Sequence, residues 1–330
     1  MFKYVVKRLL LALFILVGVS LILYIIIRIM PVNVIADRYY ATHQQSPASE
    51  EELNAILASY NLLDNSFGGI CYGWWHWITS FLSGNFGNSL INNEPIQDII
   101  FRNMGVSFAV SFVSLLLELI IAIPLGIKCA CNQYGKLDYT VTVLTMIGIS
   151  FPSFFFASII IKIFAVDLGW FETQGLTTAT SSATGFALFI DMAWHMVLPV
   201  FVLTILSIGS MMRYTRTNTL EVLNADYIRT ARAKGLSENT VVYKHVFRNT
   251  LIPLVTTLAG ILPGLFGGSM IVEQMFSLPG IGNTAYELTR KGDIPFIMGY
   301  DMFIAVLTVI GILLTDIMYA VVDPRVKLGK

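Results

Sequence analysis

Charge is what this sequence has least of. Only 13% of its 330 residues are Asp, Glu, Lys or Arg, while 55% are hydrophobic. Soluble domains carry about 25% charged and about 45–50% apolar residues, so a mean hydropathy of +0.71 points to a polytopic membrane protein. Basic and acidic residues number 21 each, and a net charge of zero offers no bulk attraction for nucleic acid. Cysteine is scarce as well. Cys129 and Cys131 stand one residue apart at the end of an apolar run, with no histidine cluster nearby, and Cys71 is alone. Neither a zinc site nor a disulfide framework is expected; packing as small hydrophobes is. The four histidines, His43, His76, His195 and His245, are scattered, and His195, beside Trp194, reads as an interfacial residue. No G-x-x-x-x-G-K-[ST], H-E-x-x-H or G-x-S-x-G occurs. That excludes a P-loop here and leaves no signal for zincin or serine-hydrolase chemistry. Nothing in the sequence supports an enzyme.

What the sequence has in abundance is long apolar runs. A helix crosses a bilayer with about 20 apolar residues, and six segments qualify: 9–30, 105–127, 139–166, 194–212, 251–276 and 302–322. The first is too long for a cleaved leader and no small-x-small site follows, so it reads as a retained helix. Pro124, Pro152, Pro199 and Pro263 fall inside later runs, which neighbouring helices in a bundle tolerate. With six spans, fifteen of the 21 basic residues lie on one side, and both termini are expected to be cytoplasmic. Arg28 and Lys162, near span ends, can snorkel to the interface.

The loop 31–104 is acidic and long. Ser49 and Glu52 form a capping-box pattern, and Leu53, Ile56, Leu57 and Tyr60 then repeat at helical spacing. Further on, Trp74, Trp77, Ile78 and Phe81 share one face, which suits either a helix in the headgroup region or packing against the bundle. Three acids fall within spans. Glu118 is mid-span and should face the bundle, since a lipid-facing charge costs about 2.5–3.5 kcal/mol; an interhelical hydrogen bond is favoured over a place in a substrate pathway. Glu273 lies near the outer end of the fifth span, and Asp316 close to an end of the last.

Basic residues gather in one connection, 213–250, which holds Arg213, Arg216, Arg229, Arg232, Lys234, Lys244 and Arg248. The segment reads as a helix, a break at Gly235, and a second helix capped by Ser237 and ending at Pro253. Tyr227, Ala231 and Lys234 share a face in the first helix, and small residues at Ala231, Ala233 and Gly235 allow close approach by another surface. A topology signal explains the charge alone; a docking element explains the small residues and the cap as well.

The stretch "DYIRTARAKGL", Asp226 to Leu236, with His245, Arg248, Asn249, Ile252 and Pro253, resembles the cytoplasmic coupling (EAA) loop of ABC importer permeases in its dipeptide/oligopeptide version. Arg229, Thr230 and Ala231 stand where the broader motif has Glu-Ala-Ala. "GNFGNS" at 84–89, "ISFPSF" at 149–154, "VEQMFSLPGIG" at 272–282 and "DPR" at 323–325 also resemble that family, whereas 171–187 departs from its pattern.

The resemblance implies an all-α integral membrane fold of the type I importer kind, with a first helix (1–30), an outer loop (31–104), a transmembrane domain (105–322) and a short tail (323–330). It implies that Asp226, Tyr227, Ile228, Arg229, Thr230, Ala231, Arg232, Ala233, Lys234, Gly235 and Leu236 seat in a groove on an ATPase subunit, so that Gly235→Pro or Ala231→Glu should uncouple transport. ATP and magnesium would sit on two partner ATPases, beside a second homologous permease and an extracytoplasmic substrate-binding protein, all at the lipid bilayer. The implied cargo is peptide, with glutathione or nickel and metal chelates as alternatives. An ATP-independent secondary transporter is the competing class.

Overall fold

In this computed structural model the described residues are 2–29, 64, 66–178 and 183–322, with Asn54 and Ala58 as isolated positions. Among them helices account for nearly everything; β pairing is limited to one bridge between Asn88 and Pro95. The expected capping box at Ser49 and Glu52, the helix at 53–60 and the "DPR" end lie outside the described residues.

Helix α1 (Phe2–Ile29) is hydrophobic on all sides, the pattern of a membrane span rather than of an amphipathic surface helix. Near its end Arg28 donates to Tyr24 Oη and to the carbonyls of Asp64 and Gly69, tying α1 to the start of α2 (Phe67–Leu82). Ser66 caps α2 by accepting from Gly69 N. Of the two placements open to its tryptophan-rich face, packing on the bundle is the one observed. Trp74, Trp77, Ile78 and Phe81 pack with Leu16, Leu23, Met302 and Val306, and Trp74 Nε1 donates to Ser20 Oγ at 3.1 Å.

Helix α3 (Ile96–Cys131) begins at Ile96 rather than 105. Pro95 starts it, and Asp98, Arg102 and Asn103 dilute the apolar pattern across its first turns. Next come α4 (Lys136–Ser150) and α5 (Ser153–Ile160), the latter continued by a π-helical stretch, Ile161–Asp167. The expected span at 139–166 is therefore broken in the middle: the two halves meet at 102°. Pro152 disfavours the helical conformation in its predecessor, and Phe151 is accordingly extended, with φ −79° and ψ 130°.

Helix α6 (Phe186–Leu223) outruns the expected 194–212 at both ends. Its last turns are polar in sequence but bury Thr215 and Thr219, so the helix persists into the connection that begins at 213. It packs along α3 in the most extensive helix pairing of the fold. Small residues on α3 (Ser114, Ala122 and Gly126) are buried against it, and Ser114 Oγ donates to the carbonyls of Val110 and, across the seam, Val200.

After α6 come α7 (Asp226–Ala233), a single turn Glu238–Thr240, a π-helical stretch Val241–Val246 and α8 (Phe247–Ala259). Pro253 lies inside α8, not at a break as expected, because the helical path started by Ser237 runs on through it. The expected span 251–276 falls instead into α8, α9 (Leu262–Gly267) and α10 (Met270–Met275). Pro263 and Gly268, at φ +75°, account for the breaks. Helix α11 (Ile281–Lys291) and the long α12 (Ile294–Val322) complete the chain, with α12 packed on α1. Among the described residues four helices are long and apolar enough to cross a membrane, or five if the bent pair counts as one span.

Candidate functional site

The basic connection folds on itself. Ile228 and Ala231 of α7 are buried against Val241 and Val246, with Val222 and Leu223 beside them. Gly235 takes φ +76°, a conformation nearly free of cost only for glycine, and reverses the chain. Ser237 then accepts from Thr240 N at 3.4 Å, and Arg232 clamps Glu238 through Nε at 2.8 Å and Nη2 at 3.3 Å. The result is a helical hairpin with its own small core.

That core corrects the expected face. Ala231 points inward with Ile228, not outward with Tyr227 and Lys234. The residues left exposed are Asp226, Tyr227, Arg229, Thr230, Arg232, Ala233, Lys234, Gly235 and Leu236. Tyr227, Leu236 and Tyr243 expose large apolar surface among these cations, a mixture suited to a protein groove. The spacing of Ile228, Ala231, Val241 and Val246 could have revealed the inward face. The charge of the segment masked it.

Behind the hairpin lies a contact that sequence reasoning missed. Arg216 of α6 holds Asp138 of α4 through Nε at 2.6 Å and Nη2 at 2.7 Å, and Asp138 also accepts from Tyr134 N at 2.9 Å. The sequence marks Arg216 only as one of the loop cations and does not single out Asp138, and nothing in their spacing links positions 78 residues apart. Cys129 is buried at the same helix end, whereas Cys131 is exposed, against the packing expected of it.

The membrane acids separate into three settings. Glu118 is buried on α3, and it does not line the apolar groove of about 680 Å3 between α3 and α6. Asp316 pairs with Arg8 at 3.0 Å across α12 and α1. Glu273 is fully buried; its two oxygens accept from Ser269 N at 2.9 Å and Asn283 N at 3.0 Å. Ser107 Oγ, next to it, accepts from Ile281 N at 2.8 Å. A Cβ at Gly280 would run into the Glu273 carboxylate and the Ser107 hydroxyl, so "VEQMFSLPGIG" is a loop wound round its own glutamate.

A second buried carboxylate escaped the sequence reading. Asp293 accepts from Ser89 Oγ and from the backbone N–H groups of Leu90, Ile91 and Phe296. It joins the turn after "GNFGNS" to the start of α12. Asn85 folds back in the same stretch, its Oδ1 accepting from Gly87 N, and Phe86 stacks on Phe81 with ring centroids 4.2 Å apart. His195 is buried in α6, and its Nδ1–H donates to the Asp191 carbonyl at 2.8 Å.

Long apolar helices packed side by side, with a charged helical hairpin at one end, define a multi-pass membrane protein of the cell membrane. The sequence profile described as "Binding-protein-dependent transport system inner membrane component" matches residues 122–328. The chain belongs to that family, whose members are transporter permeases rather than catalytic enzymes, and the resemblance drawn from its motifs holds. Over 329 residues it is 36% identical to the oligopeptide transport system permease protein AppB of Bacillus subtilis, covering 99% of this chain and 100% of that one. It is 33% identical over 328 residues to a putative peptide permease protein of Brucella suis, with 99% of each chain covered. Against the dipeptide transport system permease protein DppB of Bacillus subtilis it is 32% identical over 283 residues, 86% of each.

Proposed function

We propose that the chain is a membrane-spanning permease subunit of an ATP-driven importer, and that its cargo is peptide. Relatives named for oligopeptide, dipeptide and peptide transport, two of them aligned over almost the whole chain, support the cargo. The observation that carries the ATP-driven part is the hairpin: a helix with an inward apolar face of its own, presenting Tyr227, Arg229, Lys234 and Leu236 outward. Such a rigid, exposed element is what transmits a partner's movement to the helices behind it. Here the path runs through α6, which leads directly into the hairpin, and through the Arg216–Asp138 clamp to α4.

In this reading ATP and magnesium bind two partner subunits, one seated on Tyr227 to Leu236. A second homologous permease completes the pathway, and a substrate-binding protein docks on the side opposite the hairpin. The topology that goes with it has six crossings, counting α8 to α10 as one broken span, and both termini in the cytoplasm. Crosslinking from a cysteine placed at the exposed Ala233, in a background lacking Cys71, Cys129 and Cys131, tests the reading. Capture of a P-loop ATPase is expected. Failure to capture one in membranes that transport actively would leave the hairpin a topology signal and favour an ion-coupled carrier.

A further inference from the structure

A cavity of about 500 Å3 lies between α3, α11 and the loop after α10, within the about 300–1,000 Å3 usual for small-molecule sites. Its floor includes the buried Ile99, Leu278 and Leu288. Its walls are polar, with Arg102, Asn103, Gln274, Asn283, Glu287 and Lys291 converging from separate elements. The amide of Asn103 is tied to Ile99 O at 3.0 Å and that of Asn283 to Leu278 O at 3.1 Å, so their carboxamide oxygens are the groups that remain to accept a ligand N–H.

Two further observations mark this cavity out. Arg102 pairs with Glu94 at 3.0 Å and Lys291 with Glu287 at 3.9 Å, all four side chains about half exposed. Exposed pairs are worth about 0–1 kcal/mol, so a charged ligand can replace either partner at little cost. The backbone beside the cavity is also strained. Three described residues other than glycine have positive φ, and two of them border it: Ser277 at 50°, which lines it, and Asn93 at 54°, next to the lining Asn92. Strain of this kind gathers at ligand clamps and switch regions.

We propose that this cavity binds short peptides by their main chain and charged ends. Arg102 and Lys291 take the terminal carboxylate, Glu287 the terminal ammonium, and Asn103, Gln274 and Asn283 the peptide groups. The apolar floor accepts side chains without reading them. The inference rests on the peptide-import reading and places a recognition step on the permease itself, apart from the hairpin.

The test uses right-side-out membrane vesicles carrying the complete transporter and its binding protein. The ligand is a photoactivatable tripeptide, benzoylphenylalanine flanked by alanines. Irradiation is expected to label this chain within 92–103 or 274–291, with protection by trialanine and none by N-acetyl-trialanine amide. Arg102→Gln and Glu287→Gln should each weaken protection about tenfold or more, the loss typical of a charge-assisted contact. Lys162→Gln, whose exposed pair with Asp167 lies outside the cavity, should not. Labelling elsewhere, or labelling indifferent to trialanine and to both substitutions, overturns the proposal. ATP-driven uptake of trialanine, measured in the same vesicles, separates the two readings. Uptake without cavity labelling removes the site alone; labelling without uptake removes the import reading and keeps the site; absence of both removes both.

Discussion

The two ends of α3 are built on opposite principles. Near its C-terminal end, where Cys131 stands close enough to Arg232 and Glu238 to feel their charges, the hairpin buries four small apolar residues and turns its charges outward. Near its N-terminal end, Glu273 and Asp293 are turned inward, and backbone N–H groups converge on them. A carboxylate out of water is tolerable only when its lone pairs are satisfied. Once satisfied, it ties together the loops that donate to it. One end turns its charges to the outside, the other uses its acids to hold its own loops in register. The cavity proposed for peptides lies at the second end, where residues 274–291 owe their position to these acids.

Removing a central acid should therefore show the largest effects. Asp293→Ala leaves a hydroxyl and three N–H groups without their acceptor and should destabilise the protein by about 3–5 kcal/mol. Glu273→Ala strands two N–H groups and should cost about 2–4 kcal/mol. Thermal unfolding of the purified protein in detergent measures both, and Glu273→Gln, which keeps one accepting oxygen, should fall between Glu273→Ala and the parent. If either alanine variant unfolds with the parent, these carboxylates are not the anchors described here, and a pathway role for Glu273 becomes the better account.

The hairpin answers differently to substitution. Ala231→Glu forces a carboxylate into the cluster of Ile228, Val241 and Val246 and should open the hairpin locally, at about 2 kcal/mol or more. Ala233→Glu, two residues on and exposed, should leave it closed. Limited proteolysis within 226–246 reads the difference, while overall thermal stability should stay close to the parent in both. Loss of transport in Ala231→Glu would then report a collapsed hairpin, whereas loss in Ala233→Glu would report a blocked partner surface. Equal protease sensitivity in the two would refute the inward face of Ala231.

How much of this could be read from residues alone also differs between the ends. The hairpin was legible: Gly235 as the break and Ser237 as the cap are local signals, and both stand where the sequence placed them. The inward face was not, because a few apolar residues are hard to see among seven cations. At the other end even the elements were blurred. Hydropathy windows located α3 but not its start at Ile96, and they ran through the breaks at Phe151 and Gly268 that cut two expected spans into pieces. Glu273 was noticed as an acid in an apolar run, yet its partners are backbone groups, which leave no trace in residue type. Asp293 was missed for the same reason, since its donors at 89–91 lie some two hundred residues away. Long-range satisfaction of a buried acid is a property of the fold, and composition cannot announce it.

The smallest expected effect sharpens the contrast most. Arg232 and Glu238 form a two-point clamp across the Gly235 turn, which on geometry alone looks as firm as Arg216 on Asp138. Their surroundings differ. Arg232 and Glu238 are 42% and 65% exposed, whereas Arg216 and Asp138 are 22% and 4% exposed. Water and salt compete for the first pair and hardly reach the second. Arg232→Gln should therefore cost less than about 1 kcal/mol, leave the protease pattern of the hairpin unchanged, and become indistinguishable from the parent at high ionic strength. Arg216→Gln, which strands a buried carboxylate, should cost about 3 kcal/mol or more, with little dependence on salt. Equal losses for the two would mean that the hairpin is fastened by its charges rather than by Ile228, Ala231, Val241 and Val246, and the distinction drawn between the two ends of α3 would fail.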